Sequence, residues 1–293
     1  MADTDYEREF RKELQADGMV ASGPFLDIGG SYETGHTLRE LIQAQKASVL
    51  FERLEPVAEK ERELKLDRPL YQHQETAMLK ADKGENLVVT TGTGSGKTES
   101  FLLPIINHLL REQEAGTLSA GVRAIIIYPM NALANDQMKR MRALFKNYPQ
   151  ICYGVYNGNT EHTQSKALAE YHRTYHDEAG EPIDPAPNEI ISREIMQEKP
   201  PHILITNYSM LEYMMLRPKD DAVFSGAKLK FIVLDEAHIY KGATGMETSL
   251  LMRRLRARIS EPDSVQYILT SATLGGPDAD GDILSFAEKL CGV

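Results

Sequence analysis

Six short apolar runs, separated by stretches of helical periodicity, constrain the fold of this 293-residue chain more than any other feature. The runs are strand-sized and apolar throughout, with little alternation between apolar and polar residues. Strands of that kind are buried on both faces, which is typical of a parallel sheet covered by helices on either side. The runs lie at residues 87–90, 123–128, 151–156, 202–206, 231–234 and 266–270.

Helical patterns at residues 98–111, 133–146 and 246–260 fall between several of these runs. The chain therefore predicts an α/β fold, with one three-layer domain and a mainly parallel sheet over residues 67–293. Residues 1–66 precede that domain as a polar arm followed by a helical extension, whose helix is predicted over residues 37–63. Residues 157–200 are polar and rich in proline, which predicts a long surface insertion.

Composition narrows the class of protein. Two cysteines far apart in sequence, Cys152 and Cys291, exclude a disulfide framework and fit a reducing cytoplasm. No apolar run is long enough to span a membrane, so no membrane partner is expected. The net charge of −10 argues against a protein that coats nucleic acid indiscriminately. Two segments carry a local excess of positive charge and are candidate nucleic-acid faces, residues 133–147 and 244–260.

Residues 90–98 read TTGTGSGKT, directly after an apolar strand and before an amphipathic helix. This is the setting of a phosphate-binding P-loop, whose glycines let backbone N–H groups point inward at the start of a helix. The Lys97 side chain would reach the β- and γ-phosphates. Position 91 is threonine where the general pattern has glycine. The predicted nucleotide-binding residues are Thr91, Gly92, Thr93, Gly94, Ser95, Gly96, Lys97 and Thr98.

A second apolar strand, residues 231–234, delivers adjacent carboxylates at its C-terminal end in the sequence DEAH. In an open α/β sheet that edge is where ligands bind. We expect Asp235 to hold Mg²⁺, mostly through water, together with the Thr98 hydroxyl. We expect Glu236 to polarise the attacking water. The predicted catalytic residues are therefore Glu236, Asp235 and Lys97.

The order of these motifs resembles that of the superfamily 2 helicases of the DEAD/DEAH-box type. Residues 91–98 are similar to motif I, residues 235–238 to motif II and residues 271–273 (SAT) to motif III. Residues 68–74 (RPLYQHQ) are similar to a Q-like motif, residues 128–133 to motif Ia and residues 206–211 to motif Ib. Threonine at position 91 is tolerated in this superfamily.

The resemblance implies a RecA-like domain that binds ATP or ADP with Mg²⁺. It implies that Gln74 contacts adenine and that His238, Ser271 and Thr273 couple hydrolysis to movement. It also implies contacts to a single-stranded nucleic-acid backbone through Pro129, Asn131, Thr206 and Asn207.

Within the superfamily, three segments look like the bacterial DNA helicases of the mitomycin-repair (MrfA-like) and phage-defence types: residues 70–74, 205–213 and 235–259. This implies the ATP-binding half of a cytoplasmic DNA helicase with repair or defence partners. Such proteins carry a second RecA-like domain in the same chain, which supplies arginines to ATP. We therefore expect the 293 residues alone to hydrolyse ATP very slowly. Two alternatives remain, a nucleotide-dependent nucleic-acid or partner-binding module without useful turnover, and an RNA helicase.

Overall fold

The structure is a computed structural model, and it divides the chain into two units, Met1–Tyr32 and Glu33–Val293. Every strand and helix named below belongs to the second unit. Besides Arg8 and Lys12, the described residues are 32–54, 64–92, 94–146, 148–259, 261–272 and 280–293.

Seven parallel strands form the central sheet, in the order β3-β9-β8-β4-β7-β5-β6. All six predicted strands are present, within two residues of their predicted bounds, which confirms the α/β fold. The strands of this sheet are β3 Leu87–Thr90, β4 Ala124–Ile127, β5 Tyr153–Tyr156, β6 Glu189–Ile190, β7 Ile203–Thr206, β8 Phe231–Leu234 and β9 Gln266–Ser271.

Helices cover both faces of the sheet. Ile126 of β4 packs into one core cluster, whereas Ile125 and Ile127 pack into the other. The first cluster contains apolar residues of α2, α3 and α4, and the second contains those of α7, α9 and α10. The helices are α1 Leu38–Gln43, α2 Gln72–Asp82, α3 Lys97–Glu114, α4 Asn131–Phe145, α5 Gln164–Thr174, α6 Arg193–Glu198, α7 Tyr208–Leu216, α8 Asp221–Phe224, α9 Gly242–Arg258 and α10 Asp280–Cys291. None of the helices in this described part is long and apolar enough to cross a membrane.

The segment before the sheet differs from the predicted helix over residues 37–63. Thr37 and Glu40 form a capping box that begins α1 at Leu38, and the left-handed backbone of Gln45 (φ 59°) follows its end. A 3₁₀ helix then covers Val49–Arg53, and residues 55–63 lie outside the described ones. For the described residues of this segment, 37–54, the prediction of a single helix is therefore wrong.

Two further strands, β1 Thr34–Thr37 and β2 Pro69–Tyr71, pair antiparallel in a small separate sheet. Phe51 of the extension is fully buried in the same core cluster as Phe101 of α3. The extension therefore packs as part of the α/β domain's core. The domain boundary between residues 66 and 67 stays a prediction.

The segment 157–200, expected as a surface insertion, contains α5, β6 and α6. The short strand β6 pairs in parallel with β5, with Tyr153 opposite Glu189 and Gly154 opposite Ile190. No side chain would fit at position 154, because a Cβ there would lie 2.6 Å from the Ile190 carbonyl oxygen. The segment thus extends the edge of the central sheet as well as covering it.

Candidate functional site

The glycine-rich loop between β3 and α3 is closed by its own hydrogen bonds. Gly94 (φ 79°) and Gly96 (φ 72°) have left-handed backbones, which glycine adopts without strain. The hydroxyls of Thr91 and Ser95 lie 2.6 Å apart. The Lys97 ammonium donates to the Thr91 carbonyl oxygen at 3.3 Å. The chain therefore curls at the N-terminus of α3, where backbone N–H groups and the helix dipole favour an anion.

Of the other residues predicted in this loop, Gly92 and Gly94 are exposed and Thr98 is half-buried. The Thr98 hydroxyl stands in the first turn of α3, one residue beyond Lys97. Thr93 lies outside the described residues. The loop is thus exposed to solvent at these two glycines.

Gln74, predicted to contact adenine, is fully buried against this loop. Its amide nitrogen donates to the Gly96 carbonyl oxygen at 2.9 Å, and its amide oxygen accepts from the Tyr71 amide at 2.9 Å. A Cβ at position 96 would lie 2.4 Å from the Gln74 amide nitrogen. Gln74 therefore fixes the loop to the start of α2, and an adenine contact would require it to exchange one of these hydrogen bonds.

The two carboxylates predicted as catalytic follow β8 and point to different partners. Asp235 accepts a short hydrogen bond from the Thr270 hydroxyl of β9. Glu236 has a left-handed backbone, φ 50°, so consecutive side chains diverge. Its carboxylate oxygen lies 3.3 Å from the His238 ring nitrogen.

Burial raises the pKa of Asp235, because a carboxylate loses hydration in this position. The Thr270 hydroxyl and the Lys97 ammonium act in the opposite direction and lower that pKa. Asp235 thus stands within electrostatic reach of the P-loop lysine. A cation bound beside this carboxylate would offset the cost of its burial.

A path of contacts joins the P-loop to the DEAH segment through β9. The Thr91 amide donates to the Ser271 carbonyl oxygen at 3.3 Å. The Ser271 hydroxyl lies 3.2 Å from the His238 ring nitrogen, and His238 faces Glu236. The sheet order makes this possible, because β9 lies between β3 and β8. Thr273, predicted with Ser271, lies outside the described residues.

The residues predicted to contact nucleic acid lie at the same sheet edge, after β4 and β7. The Asn207 amide nitrogen donates to the Asn131 side-chain oxygen at 2.9 Å. Asn207 also caps α7 by accepting from the Met210 amide at 2.8 Å. Pro129 is half-buried next to the exposed Met130. These residues therefore form one surface beside the ends of the strands.

Thr206 departs from the prediction of backbone contact. Its side chain is buried, and its hydroxyl donates to the Tyr156 carbonyl oxygen at 2.7 Å. Because the hydroxyl is used within the sheet, Thr206 supports β5 and does not offer its side chain to a ligand.

A loop after β5, residues 157–160, lies beside this surface, because β5 pairs in parallel with β7. The sequence motifs did not predict this neighbour. The Asn157 side chain accepts from the Asn159 amide at 2.9 Å. The Thr160 hydroxyl donates to the Val155 carbonyl oxygen at 2.8 Å. The available signal was a turn sequence, NGNT, directly after a buried strand.

The two basic segments are largely paired with acids. On α9, Arg254 pairs with Glu212 at 2.6 Å and Arg256 with Asp263 at 2.9 Å. On α4, Arg142 makes a bidentate pair with the buried Glu189. These ion pairs compensate the local positive charge of the two segments, which argues against them as nucleic-acid faces.

Comparisons with known proteins place these features in a family. The family model described as DEAD/DEAH box helicase matches two adjoining segments, residues 71–178 and 177–280. The Druantia protein DruE of Escherichia coli (strain UMEA 4076-1) is 33% identical over an alignment covering 97% of this chain and 20% of that protein. The ATP-dependent helicase HRQ1 of Saccharomyces cerevisiae is 29% identical over 71% of this chain and 16% of that protein. The chain thus spans about a fifth of these relatives.

Solved structures share the fold. The DUF1998 helicase MrfA bound to DNA superposes with a TM-score of 0.62 at 25% identity, covering 90% of this chain and 28% of that one. The DEAD-box helicase Mss116 bound to ssRNA and UDP-BeF superposes with a TM-score of 0.64 at 18% identity, covering 89% and 44%. The sheet and its helices therefore have the RecA-like architecture of helicase domains.

Proposed function

Because the chain belongs to the DEAD/DEAH box helicase family, we propose that it is the ATP-binding domain of an ATP-dependent DNA helicase or translocase. The observation that carries this proposal is the contact path from the P-loop through Ser271 to the DEAH carboxylates. A path of this kind links the phosphate site to the residue that would activate water. Such a link is what a motor needs if hydrolysis is to alter the rest of the domain.

In the proposed reaction the P-loop holds the polyphosphate of ATP. Backbone N–H groups of residues 94–98 would face the phosphates at the N-terminus of α3. The Lys97 ammonium, now on the Thr91 carbonyl oxygen, turns to the β- and γ-phosphate oxygens. Tyr71 is the residue before α2; its backbone amide donates to the Gln74 side chain, and its ring stacks with that of His73 at 5.8 Å.

The residues present fit Mg²⁺. The cation prefers oxygen donors, and it is commonly held by one or two carboxylates together with substrate phosphates. Asp235 is a half-buried carboxylate within reach of the Lys97 charge, and the Thr98 hydroxyl stands at the start of α3. When bound, Mg²⁺ would neutralise charge on the transferring phosphate.

Glu236 is the proposed general base. Its carboxylate orients a water molecule toward the γ-phosphate and accepts the proton that this water loses. His238 contacts both Glu236 and Ser271. A change in charge at the site would alter these contacts and so be transmitted to β9. Asn131 and Asn207 would hold the sugar-phosphate backbone of a single strand, without reading its sequence.

DNA is the proposed substrate because MrfA, a structural relative, is described as bound to DNA. A role in defence or repair rests on the resemblance of this sequence to phage-defence and mitomycin-repair helicases. A second RecA-like domain in the longer protein would complete the ATP site, and we expect the protein to act in the cytoplasm. Mss116, which shares the fold, is described as bound to ssRNA, so RNA is the second candidate.

Fluorescence anisotropy with a labelled single-stranded DNA tests this proposal. Because the contacts go to phosphates, affinity should fall steeply as salt rises from about 50 to 200 mM. The double substitution Asn131→Ala/Asn207→Ala should weaken binding, whereas Gln113→Ala at the far end of α3 should not. Tighter binding to RNA of the same sequence would favour the second candidate, and binding insensitive to salt would contradict the backbone contacts.

A further inference from the structure

An acidic side chain stands directly beside the phosphate loop. Glu99 lies in the first turn of α3, two residues beyond Lys97. Its carboxylate oxygen Oε2 would be 3.0 Å from a Cβ on Gly96, so the carboxylate abuts the loop itself. An acid in the first turn stabilises the helix through its dipole. The same negative charge opposes a polyphosphate that binds at that helix end.

Arg140 of α4 compensates this charge. Its guanidinium nitrogen Nη2 donates to Glu99 Oε1 at 2.6 Å. The two side chains are only 20% and 17% exposed, so water screens this pair less than a surface pair. Among the described residues no hydrogen-bond partner meets Glu99 Oε2. Arg140 is therefore the cation that balances the Glu99 carboxylate beside the loop.

The Arg140 charge also reaches the DEAH side of the site. Burial raises the pKa of the Tyr128 hydroxyl; the Asp235 carboxylate raises it further, and the Arg140 guanidinium lowers it. The guanidinium and the Asp235 carboxylate are therefore both within electrostatic range of this one hydroxyl. Arg140 stands on the helix that begins at Asn131, one of the proposed nucleic-acid contacts.

We propose that Arg140 is a positioning residue of the nucleotide site, whose ion pair with Glu99 cancels the carboxylate charge beside the P-loop and sets the affinity for polyphosphate. This inference rests on the proposed function, because it takes the loop to be an ATP site. In the sequence Arg140 is one residue of a basic segment, residues 133–147. Its partner and its place follow from the approach of Arg140 on α4 to the first turn of α3.

Substitutions that remove one charge at a time test the proposal by calorimetric titration with Mg·ATP, Mg·ADP and AMP. Arg140→Gln leaves Glu99 uncompensated, so Mg·ATP affinity should fall about tenfold, with a smaller loss for Mg·ADP and the smallest for AMP. Glu99→Gln should bind Mg·ATP at least as tightly as the wild type. The double substitution Glu99→Gln/Arg140→Gln should return Mg·ATP affinity to within about threefold of the wild type.

A merely structural role for the pair would give a different pattern, in which the double variant binds as weakly as Arg140→Gln. That result would overturn the proposal, as would wild-type affinity in Arg140→Gln. Arg111→Gln is the matched control, because Arg111 pairs with Asp82 at 2.6 Å near the other end of α3, about 20 Å from Lys97. It should leave nucleotide affinity unchanged.

The proposed function can fail separately. Wild-type protein that binds no adenine nucleotide, or binds it equally well with Lys97→Ala, would overturn the ATP site and the role of Arg140 with it. Binding that is lost in Lys97→Ala but untouched in Arg140→Gln would overturn the role of Arg140 alone.

Discussion

Glu236 has the left-handed backbone that strand ends at functional sites often adopt, with φ at 50°. For a residue with a side chain, this conformation costs on the order of 1 kcal/mol. The turn separates two adjacent carboxylates, because Asp235 meets Thr270 while Glu236 faces His238. The divergence supports two roles for neighbouring acids, one toward a cation and one toward water.

This division of roles predicts different defects for two substitutions. Lys97→Ala removes the cation expected to hold the phosphates, so Mg·ATP affinity should fall at least tenfold. Glu236→Gln keeps the side-chain shape but removes the base, so affinity should persist while turnover falls at least 100-fold. Calorimetry on the 293-residue chain measures binding. A phosphate-release assay on the longer protein, whose second RecA-like domain is proposed to complete the ATP site, measures turnover.

Lys80→Ala serves as the control for Lys97→Ala, because Lys80 is exposed on α2 and lies 3.9 Å from the exposed Glu85. It should change neither affinity nor turnover. Equal losses of affinity in Lys97→Ala and Glu236→Gln would remove the basis for assigning separate roles.

At the scale of elements, strand order brings the sequence motifs together. The P-loop follows β3, the SAT segment ends β9 and the DEAH segment follows β8, and these three strands are neighbours. Parallel strands end at one edge of the sheet, so their following loops meet there. The short runs that are apolar throughout predicted these strands, because strands buried on both faces lack alternation between apolar and polar residues.

Elements with less local signal could not be predicted. Strand β6 is only two residues long, Glu189–Ile190, and its pairing with β5 depends on contacts distant in sequence. The chain after α1 includes Gln45 in a left-handed backbone conformation. No glycine or proline at this place in the sequence predicted the end of the helix. In both places, tertiary packing decides what the local pattern leaves open.

The β6 strand is anchored by a buried charge pair that predicts a stability defect. Glu189 is 1% exposed and accepts two hydrogen bonds from Arg142 and one from the Tyr171 hydroxyl. Glu189→Ala would remove the carboxylate that pairs with the half-buried Arg142 guanidinium. The free energy of unfolding should therefore fall by about 3 kcal/mol. Urea denaturation followed by circular dichroism measures the loss.

Glu170→Ala is the matched control on the same face, because Glu170 forms an exposed pair with Arg173 at 2.6 Å. Its removal should change the urea midpoint little. A Glu189→Ala variant as stable as the Glu170→Ala variant would show that the Arg142 pair does not hold β6 in place.

For the molecule as a whole, the sequence predicted where the motifs lie in the fold, but it did not predict which partners their side chains contact. The P-loop and the DEAH segment follow strands on either side of β9, and the catalytic and binding roles of their residues stay predictions. Two predicted side chains have internal partners instead, since Thr206 bonds the β5 backbone and Gln74 bonds Gly96. Glu99 and Arg140 are 41 residues apart in sequence and lie on different helices, so no local pattern predicts their contact.

The central claim is that the P-loop and DEAH segment form one Mg²⁺-dependent ATP site, and isothermal titration calorimetry of the 293-residue chain tests it most directly. The account predicts saturable binding of Mg·ATP, weaker binding of Mg·GTP, and loss of binding with Lys97→Ala or without Mg²⁺. Asp235→Asn should reproduce the effect of removing Mg²⁺, because it takes away the carboxylate expected to hold the cation. No detectable binding at millimolar Mg·ATP, or binding unchanged by Lys97→Ala and by chelation of Mg²⁺, would contradict it.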